Sequence, residues 1–107
     1  MTDSNASRPK ATPHQHIENG RTRVTEWRFA PGAETGAHTH EYDYVIVPVT
    51  RSRMRLEMPD GTVNHAELEP GRSYFRSAGV SHNVINDGDG DLVFVEIEFL
   101  EPASARS

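Results

Sequence analysis

The chain has 107 residues, with 16 Asp and Glu against 11 Lys and Arg and a formal charge of −5. That length allows one domain with one modest core, and the lack of any basic run excludes a surface that follows a phosphate backbone or an anionic membrane, so neither nucleic acid nor membrane is an expected partner. With no Cys there can be no disulfide framework and no thiolate metal site, and without an apolar leader core or a bilayer-length stretch the expected location is a reducing cytoplasm.

In chain order, residues 1–16 read as a flexible polar tail, residues 17–101 as the folded domain and residues 102–107 as a short C-terminal tail. The first strand spans Arg21 to Phe29, where Thr25, Trp27 and Phe29 alternate with Glu26 and Arg28, and Pro31-Gly32 ends it. Past Gly36, His38-Thr39-His40 leads into Val45, Ile46, Val47 and Val49, residues of strong strand preference. Arg53 to Met58 alternates Met54, Leu56 and Met58 with charged residues, and Pro59-Asp60-Gly61 turns it into a partner from Thr62 to Leu68. Glu69-Pro70-Gly71 is a further turn before a short strand, Ser73 to Phe75. Gly79 then bends the chain just ahead of His82, and Val84 and Ile85 continue as strand.

The acidic loop from Asn86 to Asp91 has the composition of a calcium loop, yet it is short, sits between strands and lacks a downstream bidentate Glu, so it reads as a turn. In the last strand Val93, Val95, Ile97 and Phe99 share one face. No segment holds a helical period, so the fold class is all-β: a single antiparallel β-barrel of the jelly-roll kind. A barrel of this size encloses room for one small ligand.

Three histidines carry the chemistry. Side chains at i and i+2 of a strand share a face, so His38 and His40 can reach one ion while Thr39 points away. His82 supplies a third nitrogen from a distant strand. Neutral imidazoles suit zinc, iron, copper or nickel, whereas calcium and magnesium require hard oxygens. His14-Gln15-His16 has the same spacing, but lies in the polar tail with nothing to hold it, and His65 stands alone on an exposed strand; neither is assigned a role.

These residues resemble the cupins, small β-barrels with two histidine-bearing motifs. The first motif places His-x-His after a Gly and five residues, matched by Gly32, His38 and His40. The second is matched at every spacing by Gly71, Gly79, His82 and Asn86, with Ser77 in place of a proline. The first motif's glutamate is replaced by Tyr44 and its later glycine by Arg51. Glu41 and Asp43 have the parity that faces away, so the resemblance implies a three-His centre.

Three neutral ligands leave a divalent ion its full charge, which attracts anionic chelators such as the enolate of a β-dicarbonyl and leaves a coordination position open for dioxygen. The chain is thus similar to three-His cupins that include diketone-cleaving dioxygenases, and to small cupins named for β-alanine degradation. The expectation is one divalent transition metal per chain, Fe(II) favoured with Zn or Ni as alternatives, acting on a small anionic or enolisable substrate. The competing readings are a zinc-type hydrolase, lyase or isomerase, and a non-catalytic module for a small molecule or sugar. Trp27, Phe29, Tyr42, Tyr44, Phe75 and Val84 are candidate pocket residues; for Tyr44 a hydrogen-bond donor, a weak fourth ligand and a pocket wall all stand open. Arg23, Arg28, Arg55 and Arg76 could meet an anion, but their directions are not fixed by the sequence. A homodimer through exposed sheet is expected, for which Trp27 and Phe29 would serve as well as for a core.

Overall fold

The computed structural model describes residues 8–101. Nine strands are found among them, and no helix: β1 Thr12–Glu18, β2 Thr22–Phe29, β3 His38–Thr39, β4 Asp43–Pro48, β5 Ser52–Glu57, β6 Val63–Leu68, β7 Tyr74–Arg76, β8 Ser81–Asn86 and β9 Leu92–Phe99. They form two antiparallel sheets, ordered β1-β2-β9-β4-β7 and β3-β8-β5-β6. This is the expected all-β jelly roll, and with no helix among the described residues none could cross a membrane.

Between the sheets Phe29, Tyr44, Ile46, Met54, Leu68, Val84, Leu92 and Phe94 close a buried cluster. Asn86 anchors one end of it. Buried to 2% exposure, its amide donates to the carbonyls of Phe29 at 3.1 Å and Gly90 at 2.8 Å and accepts from the Gly88 amide at 2.9 Å. One side chain thereby satisfies the backbone of the acidic loop, which is the turn the sequence predicts.

The folded structure begins earlier than residue 17. Thr12–Glu18 pairs with β2 from Thr12↔Arg28 to Glu18↔Arg23, with a bulge between Gln15 and Ile17. Every residue of β1 is exposed. An edge strand is held through its ladder of backbone hydrogen bonds and needs no apolar side chain of its own, so composition does not reveal it. Upstream, the Ala11 amide donates to the Glu34 carbonyl at 2.9 Å and the Glu34 amide to the Pro9 carbonyl at 3.0 Å, strapping the N-terminal segment across to the second sheet. Residues 1–7 and 102–107, the rest of the expected tails, lie outside the described residues.

The five-stranded sheet carries apolar side chains on both faces. Inward stand Thr25, Trp27, Ile46, Phe94 and Glu96; the pairings Val24↔Ile97, Val45↔Ile97, Val47↔Val95 and Val45↔Phe75 put the other set outside. Val93, Val95, Ile97 and Phe99 do share a face, but it is this outer one, and Phe99 is 37% exposed.

Candidate metal centre

The second sheet's pairing assembles the site. His38 lies directly opposite His82 in the β3–β8 ladder, so the two rings project side by side from one face. His40 follows the end of β3, where its amide donates to the Val80 carbonyl at 2.9 Å and its carbonyl accepts from the Gly79 amide at 2.8 Å. Gly79 adopts φ of +101°, a conformation that admits no side chain without strain, and the turn it makes brings the β8 histidine under the other two.

The three Nε2 atoms converge: His40 lies 3.0 Å from His38 and 3.2 Å from His82. Two nitrogens bound at ~2.1 Å to one ion at angles between square and tetrahedral sit ~3.0–3.4 Å apart, so the spacing fits a shared ion. Tautomers strengthen the case. The Nδ1–H of His38 donates to the Gly36 carbonyl at 2.9 Å, which leaves its Nε2 lone pair facing the other rings. Burial, with the charge of His38 second, lowers the His40 pKa to about 4. Burial also lowers His82 to about 4, with His38, His40 and Arg76 adding to the effect. Both rings are therefore uncharged at neutral pH, as ligation requires. Converging lone pairs repel, and a cation between them removes that cost.

The outer contacts are specific. Gly36, at φ of +89°, donates its amide to Asn83 Oδ1 at 2.9 Å, and Asn83 Nδ2 donates to Glu34 Oε1 at 2.8 Å. Arg8 Nη1 meets the same Glu34 oxygen at 3.0 Å and Arg8 Nη2 meets Glu57 Oε2 at 3.3 Å. A chain of polar contacts therefore runs from the N-terminal strap through Asn83 to the carbonyl that orients His38. On the other side His40 Nδ1 lies 3.7 Å from Glu96 Oε2, while Glu96 Oε1 accepts from Trp27 Nε1 at 3.2 Å. Burial, reinforced by the charge of Glu98, pushes the Glu96 carboxyl up to about 7.

Neither Asn83 nor Glu96 is evident as a site residue in the sequence. The parity of β9 is the signal for Glu96, since it alternates with Val95 and Ile97, but the apolar set is the one sequence reasoning places inside. Asn83 is marked only by adjacency to His82.

A cavity of about 1140 Å³ opens beside the histidines. Of the candidate pocket residues, Trp27, Tyr42 and Val84 line it. Phe29 does not: with no exposed surface, it is a core residue packed against Phe94 with ring centroids 5.6 Å apart and planes tilted by 39°. Phe75 does not either, because its pairing with Val45 sends it out of the sheet, where it is 53% exposed. Tyr44 does not line the cavity: it is a buried core residue that lies flat on His40, centroids 4.0 Å apart and planes 19° from parallel, presenting its face rather than its hydroxyl. Burial raises its phenol to about 12, helped by Tyr74 and Glu96, which keeps it protonated. Asp43 accepts from the Ala78 amide at 2.8 Å, and Glu41 is exposed on the cavity's edge. Of the arginines, Arg23 and Arg76 line the cavity. Among the described residues, His38, His40 and His82 form the one group of three or more metal-capable side chains close enough to share an ion.

Comparison with known proteins agrees with this geometry. A model of the cupin domain matches residues 25–98. A protein of Pseudomonas aeruginosa named beta-alanine degradation protein BauB is 54% identical over 93 residues, covering 87% of this chain and 97% of that protein. The crystal structure of a cupin domain from Bordetella pertussis Tohama I superposes with a TM-score of 0.82 at 53% identity, over 86% of this chain and 95% of that one. The polyketide cyclase RemF from Streptomyces resistomycificus superposes with a TM-score of 0.68 at 25% identity, over 88% and 70% of the two chains.

Proposed function

The chain belongs to the cupin superfamily, and from that premise we propose that it is a mononuclear metal enzyme, a non-haem Fe(II) dioxygenase cleaving a small β-dicarbonyl or related oxo-acid. The observation that carries the reading is the convergence of three ring nitrogens with an aromatic ring, Tyr44, where the motif's carboxylate would stand. A bound ferrous ion would supply Lewis acidity and one-electron chemistry towards dioxygen. The chain's own part is to hold and to exclude. His38, His40 and His82 present lone pairs, the Gly36 carbonyl fixes the His38 ring from behind and Tyr44 backs His40, and Trp27, Tyr42 and Val84 shield a bound substrate from bulk water. The name of the Pseudomonas relative, which ties that protein to breakdown of a small amino acid, supports a small carboxylic substrate here.

The test is oxygen consumption by iron-loaded protein given β-dicarbonyls under air. Uptake in proportion to cleaved product, abolished in His82→Ala, is the expected result; no uptake across a broad panel rejects the reading. The likeness to a polyketide cyclase favours one second reading, non-oxidative chemistry on an enolisable carbonyl with zinc. Turnover that continues under nitrogen distinguishes it, and recovery of every ligand unchanged leaves only a binding module.

The cytoplasm, reducing and compatible with a chain free of Cys, is its proposed location. Homodimerisation is also part of the proposal, through a different surface from the one expected. Trp27 and Phe29 face inward, whereas Val24, Val45, Val47, Phe75, Val95 and Ile97 make an outer apolar face. The four strands that bear it project roughly 400 Å², about half of the ~800 Å² that one partner buries in a standard interface. A second copy paired about a two-fold axis would cover that face with itself.

A further inference from the structure

The four arginines left without direction by the sequence separate cleanly in the structure. Arg28 and Arg55 lie outside the cavity and pair with Glu26 and Glu57. Arg23 lines the cavity but is neutralised there: its Nε and Nη2 bind both oxygens of Glu98 at 2.7 and 3.2 Å, and Glu18 lies 3.6 Å away. Arg76 also lines the cavity and, among the described residues, has no carboxylate within ion-pair distance.

Arg76 is exposed at the edge of the cavity, but its side chain is held in place there. On β7 it lies directly opposite Tyr44, the residue stacked on His40, while its neighbour Phe75 points out of the sheet. The guanidinium carbon sits 4.6 Å over the Tyr74 ring, and Nη1 donates to the Phe75 carbonyl at 3.1 Å. These contacts fix the guanidinium plane without cancelling its charge, and they leave donors of the fork unused. Of the other carboxylates on the lining, Glu98 is held by Arg23 and Glu96 accepts from Trp27 Nε1, and neither Glu41 nor Glu67 lies within ion-pair distance of Arg76.

We propose that Arg76 is the carboxylate anchor of this cavity, so that the site takes short oxo-acids whose carbonyl oxygen faces the three histidines while the carboxylate lies on the Arg76 guanidinium. This rests on the three-His reading above and narrows it, from enolisable carbonyl compounds in general to those bearing an acid group. A planar fork against a carboxylate makes two parallel charge-assisted hydrogen bonds, a geometry that a lysine reproduces only as a point charge.

The test uses the metal-loaded protein under nitrogen, with three probes titrated calorimetrically: acetoacetate, its neutral methyl ester, and acetylacetone. Acetoacetate should bind at least tenfold more tightly than the ester. In Arg76→Met that preference should vanish, with the ester, acetylacetone and the metal itself bound as before, and Arg76→Lys should restore part of it. Equal loss of acetoacetate and ester would mean that Arg76 merely shapes the wall, and undiminished acetoacetate binding in Arg76→Met would overturn the anchor alone. If none of the three probes binds the metal-loaded wild type, the site reading and the anchor fall together, and metal uptake measured in the same samples shows whether the three-His centre itself survives.

Discussion

Replacing Glu96 with Gln should stabilise the metal-free protein at alkaline pH and do little in acid. The carboxyl is 8% exposed and pushed up to about 7 from its ordinary 4.5, mainly by burial. The sign follows from linkage: an unfolded chain releases this proton near 4.5 and the folded one near 7, so folding binds a proton and stability falls as pH rises through that interval. The full penalty on the ionised form is roughly 3 kcal/mol, reduced where water reaches the carboxylate. Gln keeps the acceptor for Trp27 Nε1 and removes the charge. Its advantage over wild type should therefore grow by about 2 kcal/mol between pH 5 and pH 8, read from urea midpoints at constant slope in metal-stripped protein. Stability–pH curves that run parallel for the two proteins would refute the reasoning. Adding a saturating divalent ion should shrink the difference, because a nearby cation favours the ionised carboxylate.

Asn83→Ala frees the Gly36 amide and loosens the carbonyl that orients His38; metal affinity should fall ~10–100-fold by competitive chelator titration, while far-UV dichroism stays unchanged. Arg8 holds the carboxyls of Glu57 and Glu34 below their ordinary value, with Asn83 the first cause at Glu34 and Arg8 the first at Glu57. Their contribution is full above the unfolded value and lost as acid carries the solution through the lowered ones. Arg8→Ala should therefore cost about 1 kcal/mol at neutral pH, a deficit that closes in acid melts. Phe75→Glu places a charge on the outer sheet face and should convert a dimer to monomer in light scattering without loss of metal binding; a wild type that is already monomeric removes the dimer reading.

The fold and the convergence of the three histidines are legible because they rest on local rules. Strand parity aligns His38 with His40, and the spacing from Gly71 through Gly79 to His82 and Asn86 fixes a turn and a strand. What escapes is whatever depends on a strand's neighbours. β9 lies inside its sheet between β2 and β4, with apolar side chains on both faces, so its alternation does not say whether Glu96 or Val95 faces in. β7 is three residues long, and only its register with Val45 decides that Phe75 points out and Arg76 in. The strap from Arg8 to Asn83 joins residues far apart in sequence, which no periodicity reports.

The edge strand has a practical consequence at the bench. His14 lies across from Glu26, and His16, set out of register by the bulge and 51% exposed, bonds the same carboxylate at 3.0 Å. Two accessible imidazoles so close together are a natural handle for immobilised nickel, and resin-derived ions would ride on the outside of the molecule. Elemental analysis of native protein is therefore best done on material never passed over such a column, or on a chain with both residues changed to Gln, so that stoichiometry counts the barrel's ion alone.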